Sequence, residues 1–385
     1  MHIAYVGNFH NFGHSAANTT TAMVYLMSEL KEVESIDVFC AYPNTNIEET
    51  FIPDKVKIIP LFNAKNPLST INLYRIKWKK YDTVIFNILP TVFGKSSLLN
   101  MIGLISPYIL KKLGNRNIRV VYHNSTFTND IEKLGYNSPT DRIRKIILSM
   151  VEMRMFTSLP VYMPLKIYVN KILDINNKAL VKYIDMRYFE AIPTIYINSF
   201  TRNKFIERGK NPNKTILLHG YWGPQKNLEF ALENLMKLRN AGIKFHLILS
   251  GCVNSNFPAY VAHFNQLVKK YSMVIDERLG YISEKNIMKL FLFSDLVVIP
   301  YNVPGGHSGV LETAIFFDTQ VICINHPEFA EQASGLNGVI LTDPYHFYNN
   351  LKIYLEREHD RTRNTFIDIS QKIVLATESV RQLLN

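Results

Sequence analysis

Glu312 stands near the start of a helix-like run, "GVLETAIFF", directly behind a loop that reads "PGGHSG" from Pro304 to Gly309. The loop follows an apolar, strand-like run from Leu296 to Pro300. Glycines between a buried strand and a helix start let backbone approach a phosphate with no Cβ in the way, and the first N–H groups and macrodipole of the helix favour an anion there. The loop glycines, Gly306 and Gly309 among them, suit such a cradle, with a hydroxyl from Ser308. Glu312 is then placed to accept hydrogen bonds from vicinal hydroxyls such as those of a ribose. A Gly-rich turn ahead of a helix-favouring glutamate uses the same residues, so the loop alone leaves both readings open.

A second stretch, "HGYWGPQKNLE" from His219 to Glu229, also leaves a strand and opens a helix. Lys226 lies near that helix start, where a lone cation is unfavourable unless an anion neutralises it. A phosphate contact and a solvated lysine both fit. The first strand runs into "GNFHNFGHSAAN", where Gly7, Gly13 and the small residues Ser15 to Ala17 make a flexible loop that suits contact with a substrate, although its spacing is not G-x-G-x-x-G. His123 closes the strand "IRVVYHN" at its carboxyl end, where an imidazole can donate to a sugar hydroxyl or stabilise charge near neutral pH. "GKSS" at Gly94 lacks the upstream glycine of a phosphate-binding P-loop. There is no D-x-D pair, H-E-x-x-H or paired-cysteine motif, so no bound metal and no cofactor is expected.

The elements that must position these residues alternate clearly in the second half. Strand-like "TILLHGY", "KFHLILSG", "MVIDE", "DLVVIPY", "TQVICIN" and "GVILT" are interleaved with helical "NLEFALENLMKLRNAG", "YVAHFNQLVKKY", "EKNIMKLFLF" and "GVLETAIFF". Strands apolar on both faces and separated by helices indicate an α/β domain with a parallel sheet covered on both sides. The first half is a looser version, with strands at "HIAYVGN", "SIDVFCAY", "KVKIIPL", "DTVIFNIL", "IRVVYHN" and "TIYINS", interrupted by a long stretch, 139–192, that reads as helical. The expected organisation is two tandem Rossmann-like domains, 1–208 and 209–360, with a deep cleft between them for ligand. A last helix, 361–385, is expected to pack back on the first domain.

Bulk composition narrows the function classes. In 385 residues, 43 Lys and Arg against 32 Asp and Glu give a formal charge of +11, which favours an anionic partner. Cys40, Cys252 and Cys323 are too few and too scattered for a disulfide framework or a zinc site, which points to a reducing, cytoplasmic setting. "MHIAYVGNF" reads directly as a strand without a leader, and no apolar run reaches the length of a spanning helix. Nucleic acid would explain the charge, but no helix-turn-helix or stacking platform supports it.

Taken together, the two tandem domains, "GYWGPQKNLE" and "GGHSGVLETA" resemble the GT-B glycosyltransferases. The likeness is to the large retaining family 4, which includes bacterial sucrose- and mannosyl-type transferases, and it runs over nearly the whole chain. The resemblance implies that Lys226 contacts the donor diphosphate, Glu312 the ribose, and the backbone at Ser308, Gly309 and Val310 the phosphates. It sets Tyr281 and Ile282 against the nucleobase, His123 near the transferred sugar, and Gly13 and His14 on the loop facing donor and acceptor. Two positions depart from the family: Pro304 stands where the first of two glutamates eight apart is usual, and Tyr221 where an arginine accompanies the lysine. His307 is expected to substitute in part for these lost groups by reaching sugar or phosphate.

The activity implied is transfer of a sugar from a nucleoside diphosphate to a glycan or lipid-linked glycan hydroxyl, with retention at the anomeric carbon. A nucleotide-sugar epimerase of the same architecture, or a silent binding subunit, would share most of these residues. The stretch 141–173 carries six Lys and Arg against two acids, interleaved with Ile, Met, Phe and Tyr. That suits peripheral contact with an anionic membrane face, and equally a core helix with a basic outer side.

Overall fold

The computed structural model describes residues 1–7, 9, 15–42, 52–63, 66–88, 97–114, 117–122, 139–140, 142–143, 146–147, 149–150, 166–170, 181–184, 205–207, 213–254, 257–280, 282, 284–303, 308–357 and 366–385. The chain forms two compact units, Met1–Ile131 with Tyr136–Ile197 and Ile373–Asn385, and Glu132–Gly135 with Asn198–Lys372.

In the first unit the elements are β1 (His2–Val6), α1 (Ser15–Ser28), β2 (Ser35–Ala41), β3 (Val56–Phe62), β4 (Thr83–Ile88), α2 (Ser97–Lys112), β5 (Ile118–Tyr122), β6 (Lys166–Asn170) and β7 (Val181–Ile184). They make a parallel sheet in the order β3-β2-β1-β4-β5-β6-β7. Its middle strands β4 and β5 are buried at every position, as expected of strands covered on both faces. At the carboxyl end of β1, Asn87 donates through Nδ2 to Thr20 Oγ1 at 2.8 Å, and a Cβ on Gly7 would meet both residues at 3.2 Å. This buried polar contact fixes where the chain leaves β1 toward the loop that holds Gly13 and His14. Those two residues, and His123 directly after β5, lie outside the described residues.

The stretch 139–192 corrects a sequence expectation. Helical positions do occur between 139 and 150, but β6 and β7 extend the sheet within the same stretch. Reading it as helical follows its length and its interleaved Lys and Arg. "KIYVN" and "VKYI" instead set β-branched and aromatic residues close together, which favours extended backbone.

The second unit contains β8 (Phe205–Glu207), β9 (Thr215–Trp222), α3 (Leu228–Asn240), β10 (His246–Val253), α4 (Tyr260–Tyr271), β11 (Ile275–Leu279), α5 (Glu284–Phe293), β12 (Leu296–Ile299), α6 (Gly309–Phe316), β13 (Gln320–Ile324), α7 (Pro327–Gln332), β14 (Val339–Thr342), α8 (Phe347–Glu356) and β15 (Phe366–Asp368), followed by α9 (Ile369–Leu384). Six strands form a parallel sheet, β11-β10-β9-β12-β13-β14, and β15 pairs antiparallel with β8. The apolar stripe of α3, Leu228, Leu232, Leu235 and Leu238, is buried against this sheet with Leu218, Leu249 and Val298. Each such leucine contributes roughly 1.5–3 kcal/mol by leaving water. The final helix begins at Ile369 rather than near 361, because Phe366–Asp368 is taken into the pair with β8.

Two lysines close helix ends in this unit. Lys214 Nζ donates to the carbonyls of Tyr354, Leu355 and Arg357 at the end of α8, at 2.6, 3.2 and 2.6 Å. Lys372 Nζ donates to the carbonyls of Ile315 and Phe316 and pairs with Asp318, closing α6. An ammonium at a helix carboxyl terminus meets both orphan carbonyls and the negative end of the dipole. In the first unit, the Arg119 guanidinium donates to the Leu383 carbonyl, and Arg381 pairs with Glu32 at 3.4 Å, so the last turns of α9 are held beside β5 and α1. Cys40 and Cys323 are buried strand residues whose thiols burial pushes up to about 12, so they pack rather than react.

Candidate functional site

In the second sheet β9 lies between β10 and β12, so the winding reverses between β9 and β12. Open parallel sheets bind ligands outside the carboxyl ends of the strands at such a reversal. Lys226 follows β9 and Tyr301 follows β12. Their side chains meet, with Lys226 Nζ 3.5 Å from the centre of the Tyr301 ring.

The local backbone is built for this meeting. Near the end of β9, Gly220 pairs with Gly251 of β10, and a Cβ on Gly251 would stand 1.9 Å from the Gly220 carbonyl oxygen. Gly251 also has φ of +101°, so two independent constraints select glycine there. The chain then makes a single 3-10 turn, Pro224–Lys226, and Asn227 takes a left-handed conformation (φ 50°, ψ 45°) that lets α3 start at Leu228. The Asn302 N–H donates to the Gln225 carbonyl at 3.1 Å, tying the segment after β12 to the turn that carries Lys226.

Tyr301 is only 2% exposed. Phe329 stands edge-on to its ring with centroids 5.8 Å apart, and His326 Nε2 donates to its carbonyl at 2.8 Å. Both partners belong to the start of α7, whose far end carries Gln332. The Gln332 amide spans the start of α6. Its Oε1 accepts from the Ser308 N–H at 3.1 Å, and its Nε2 donates to the Ser308 carbonyl at 3.4 Å and to Glu312 Oε1 at 3.1 Å. The Ser308 hydroxyl oxygen caps α6 by accepting from the Leu311 N–H at 3.3 Å. The first-turn N–H groups of Gly309 and Val310 then have no partner among the described residues. Glu312 is 1% exposed, a buried carboxylate held by Gln332 and by its place in the first turn of the helix.

Unbroken contacts therefore join Lys226, Tyr301, α7 and the Ser308–Glu312 helix start, all at the carboxyl ends of the strands. Of the residues singled out from the sequence, Ser308, Gly309, Val310 and Glu312 lie on this helix start, with Lys226 linked to them through Tyr301. Tyr221 is at the end of β9 and 37% exposed; Ile282 is part-buried just past β11. Tyr281, Gly306 and His307 lie outside the described residues, as does Pro304. Ser308 acts first as a helix cap, although its O–H is still a donor.

Tyr301, His326 and Gln332 were not singled out from the sequence. An aromatic residue after a buried strand resembles core, and Gln332 sits in a six-residue helix that no periodicity announces. Its sequence neighbourhood, "PEFAEQAS", is polar and gives no local signal that singles out the glutamine.

His219 completes the electrostatics. Its Nδ1 lies 2.8 Å from Ser250 Oγ, and that hydroxyl donates to the Leu218 carbonyl, so the imidazole donates through Nδ1–H. Burial, with the Lys226 charge adding to it, lowers its pKa from 6.5 to about 4. His219 is therefore neutral near pH 7 and leaves Lys226 as the positive group at this strand end. Among the described residues no three His, Cys, Asp or Glu side chains come together to hold a metal ion.

No protein-family model and no curated protein matches the chain. Solved structures do match it over its whole length. Anabaena HepE in complex with UDP and glucose covers 100% of this chain and 98% of its own at 15% identity, with a TM-score of 0.59. Sucrose-phosphate synthase from Thermosynechococcus elongatus covers 100% and 95% at 12% identity and 0.62. WaaG, a glycosyltransferase involved in lipopolysaccharide biosynthesis, covers 99% and 94% at 14% identity and 0.54. The two parallel sheets and their flanking helices are those of the GT-B glycosyltransferase fold.

The His219 shift gives a pH prediction. Because the folded-state pKa is depressed, the unfolded chain binds the extra proton between pH 6.5 and about 4, and stability falls as pH is lowered through that window. Urea unfolding across pH 7 to 4 should show a smaller loss of midpoint in H219Q than in wild type. An identical pH slope in the two proteins would remove His219 from the account.

Proposed function

We propose that this GT-B chain transfers a sugar from a nucleoside diphosphate to an acceptor hydroxyl, with retention at the anomeric carbon. One observation carries the reading: Lys226 and the Glu312-bearing helix start are joined through Tyr301 and α7 at the winding reversal of the second sheet. HepE is crystallised with UDP and with UDP-glucose, which favours a nucleotide sugar as donor here as well.

In this reading the donor diphosphate lies on Lys226 and on the first N–H groups of α6, and Glu312 takes the ribose hydroxyls. Tyr281 and Ile282 border the base. His123, Gly13, His14 and His307 act on the sugar and acceptor side. The bond from the anomeric carbon to the leaving phosphate oxygen breaks as a bond to the acceptor oxygen forms on the same face, and the acceptor proton passes to the leaving phosphate. Catalysis is then positioning plus neutralisation of the leaving diphosphate by Lys226 and the helix dipole, without a metal ion in that role.

The acceptor is a glycan or lipid-linked glycan, and the chain reaches it from the surface of an anionic membrane through 141–173. In support, Ile143, Ile146, Ile147 and Met150 share one face of a helical run and are 58, 52, 39 and 59% exposed, beside Arg142. Among the described residues no helix is long and apolar enough to cross a membrane.

Thermal melts with a panel of nucleoside diphosphates and their sugars test the donor assignment. At least one should raise the midpoint, K226M should lose most of that rise and about 100-fold or more of turnover, and E312Q should narrow the preference for ribo- over 2′-deoxyribonucleotides. A panel in which nothing shifts the wild-type midpoint contradicts the assignment. Flotation with vesicles containing anionic phospholipid tests the surface. Wild type should rise with the vesicles at low salt, and a variant with Ser at 143, 146, 147 and 150 should stay below; equal flotation of both, or of neither, removes the membrane contact.

A further inference from the structure

The Tyr301 hydroxyl is fully buried and has no hydrogen-bond partner among the described residues, an unusual state for a group that gives up its bonds to water on burial. Tyr301 itself is fixed, with its carbonyl held by His326 and its ring braced edge-on by Phe329. The Lys226 ammonium lies over the ring face at 3.5 Å and has no carboxylate partner among the described residues. Gly220 of β9 lies on the hydroxyl side, where a Cβ would be 3.8 Å from the hydroxyl oxygen. The hydroxyl therefore faces a strand position that has no side chain, near the winding reversal, with the Lys226 ammonium over its ring.

We propose that Tyr301 is a donor-site residue with two states. Without ligand, its ring face seats Lys226, a cation–π contact that holds the ammonium at the strand ends. A diphosphate draws the ammonium from the ring into an ion pair, and the Tyr301 O–H donates to the same anion. This deepens the nucleotide-sugar reading, on which it rests for the identity of the anion, and it supplies a second donor where Tyr221 replaces the usual arginine. Lys226 can make this move because its seat is an aromatic face; a buried carboxylate would compete with the phosphate for it.

The test compares wild type, Y301F and Y301L by calorimetric titration with inorganic pyrophosphate and with UDP, alongside thermal melts of the free proteins. Y301F keeps the seat and removes only the orphaned hydroxyl, so it should melt no lower than wild type yet bind both probes about tenfold more weakly. Y301L removes the seat as well and should bind more weakly still. A Y301F protein that melts lower, or that binds both probes as wild type does, overturns the proposal and makes Tyr301 a packing residue. If wild type binds pyrophosphate, with the expected loss in Y301F, but not UDP, the anion site stands and the nucleotide reading falls. If wild type binds neither, both fall.

Discussion

The second unit is organised around one ammonium group, that of Lys226, resting on an aromatic face at the point where the winding of a buried parallel sheet reverses. A cation in such a place needs compensation. No carboxylate among the described residues pairs with it, and the nearby imidazole of His219 stays neutral because burial and the Lys226 charge both oppose its protonation. The ring of Tyr301 supplies a modest, easily broken attraction, on the order of 0.5–2 kcal/mol. That leaves the positive charge available to an anion arriving at the strand ends.

Much of the surrounding structure serves to hold the pieces still. Gly220 and Gly251 let two paired strands approach closely, Asn227 turns the chain so that α3 starts immediately, and the Asn302–Gln225 bond locks the two sides of the reversal together. The six-residue helix α7 works at both ends, bracing Tyr301 with His326 and Phe329 and bracketing Ser308 and Glu312 with Gln332. Lys372 closes the far end of α6. The helix that offers its first N–H groups is thus fixed at both termini.

How far the sequence foretold this depended on the kind of signal each residue left. Strands β9, β10, β12 and β13 are near-continuous apolar runs because both faces are buried, and α3 keeps a regular leucine stripe, so the layout of the second sheet was legible. Ser308, Glu312 and Lys226 were legible because helix starts have a recognisable chemistry. α7 and α8 were missed: α7 is too short for periodicity, and α8 begins in the polar run "YHFYNN". β6 and β7 were hidden among basic residues that suggested a helix surface. Tyr301 and Gln332 act through contacts with residues far away in the chain, such as Lys226 and Ser308, and no local pattern encodes contacts of that kind.

A crystal structure of the chain with a bound nucleoside diphosphate tests the central claim most directly. The account predicts phosphate oxygens within about 3 Å of Lys226 Nζ and of the Gly309 or Val310 N–H groups, with the ammonium drawn off the Tyr301 ring. A nucleotide bound away from the carboxyl ends of β9 and β12, with Lys226 still seated on that ring, would contradict it.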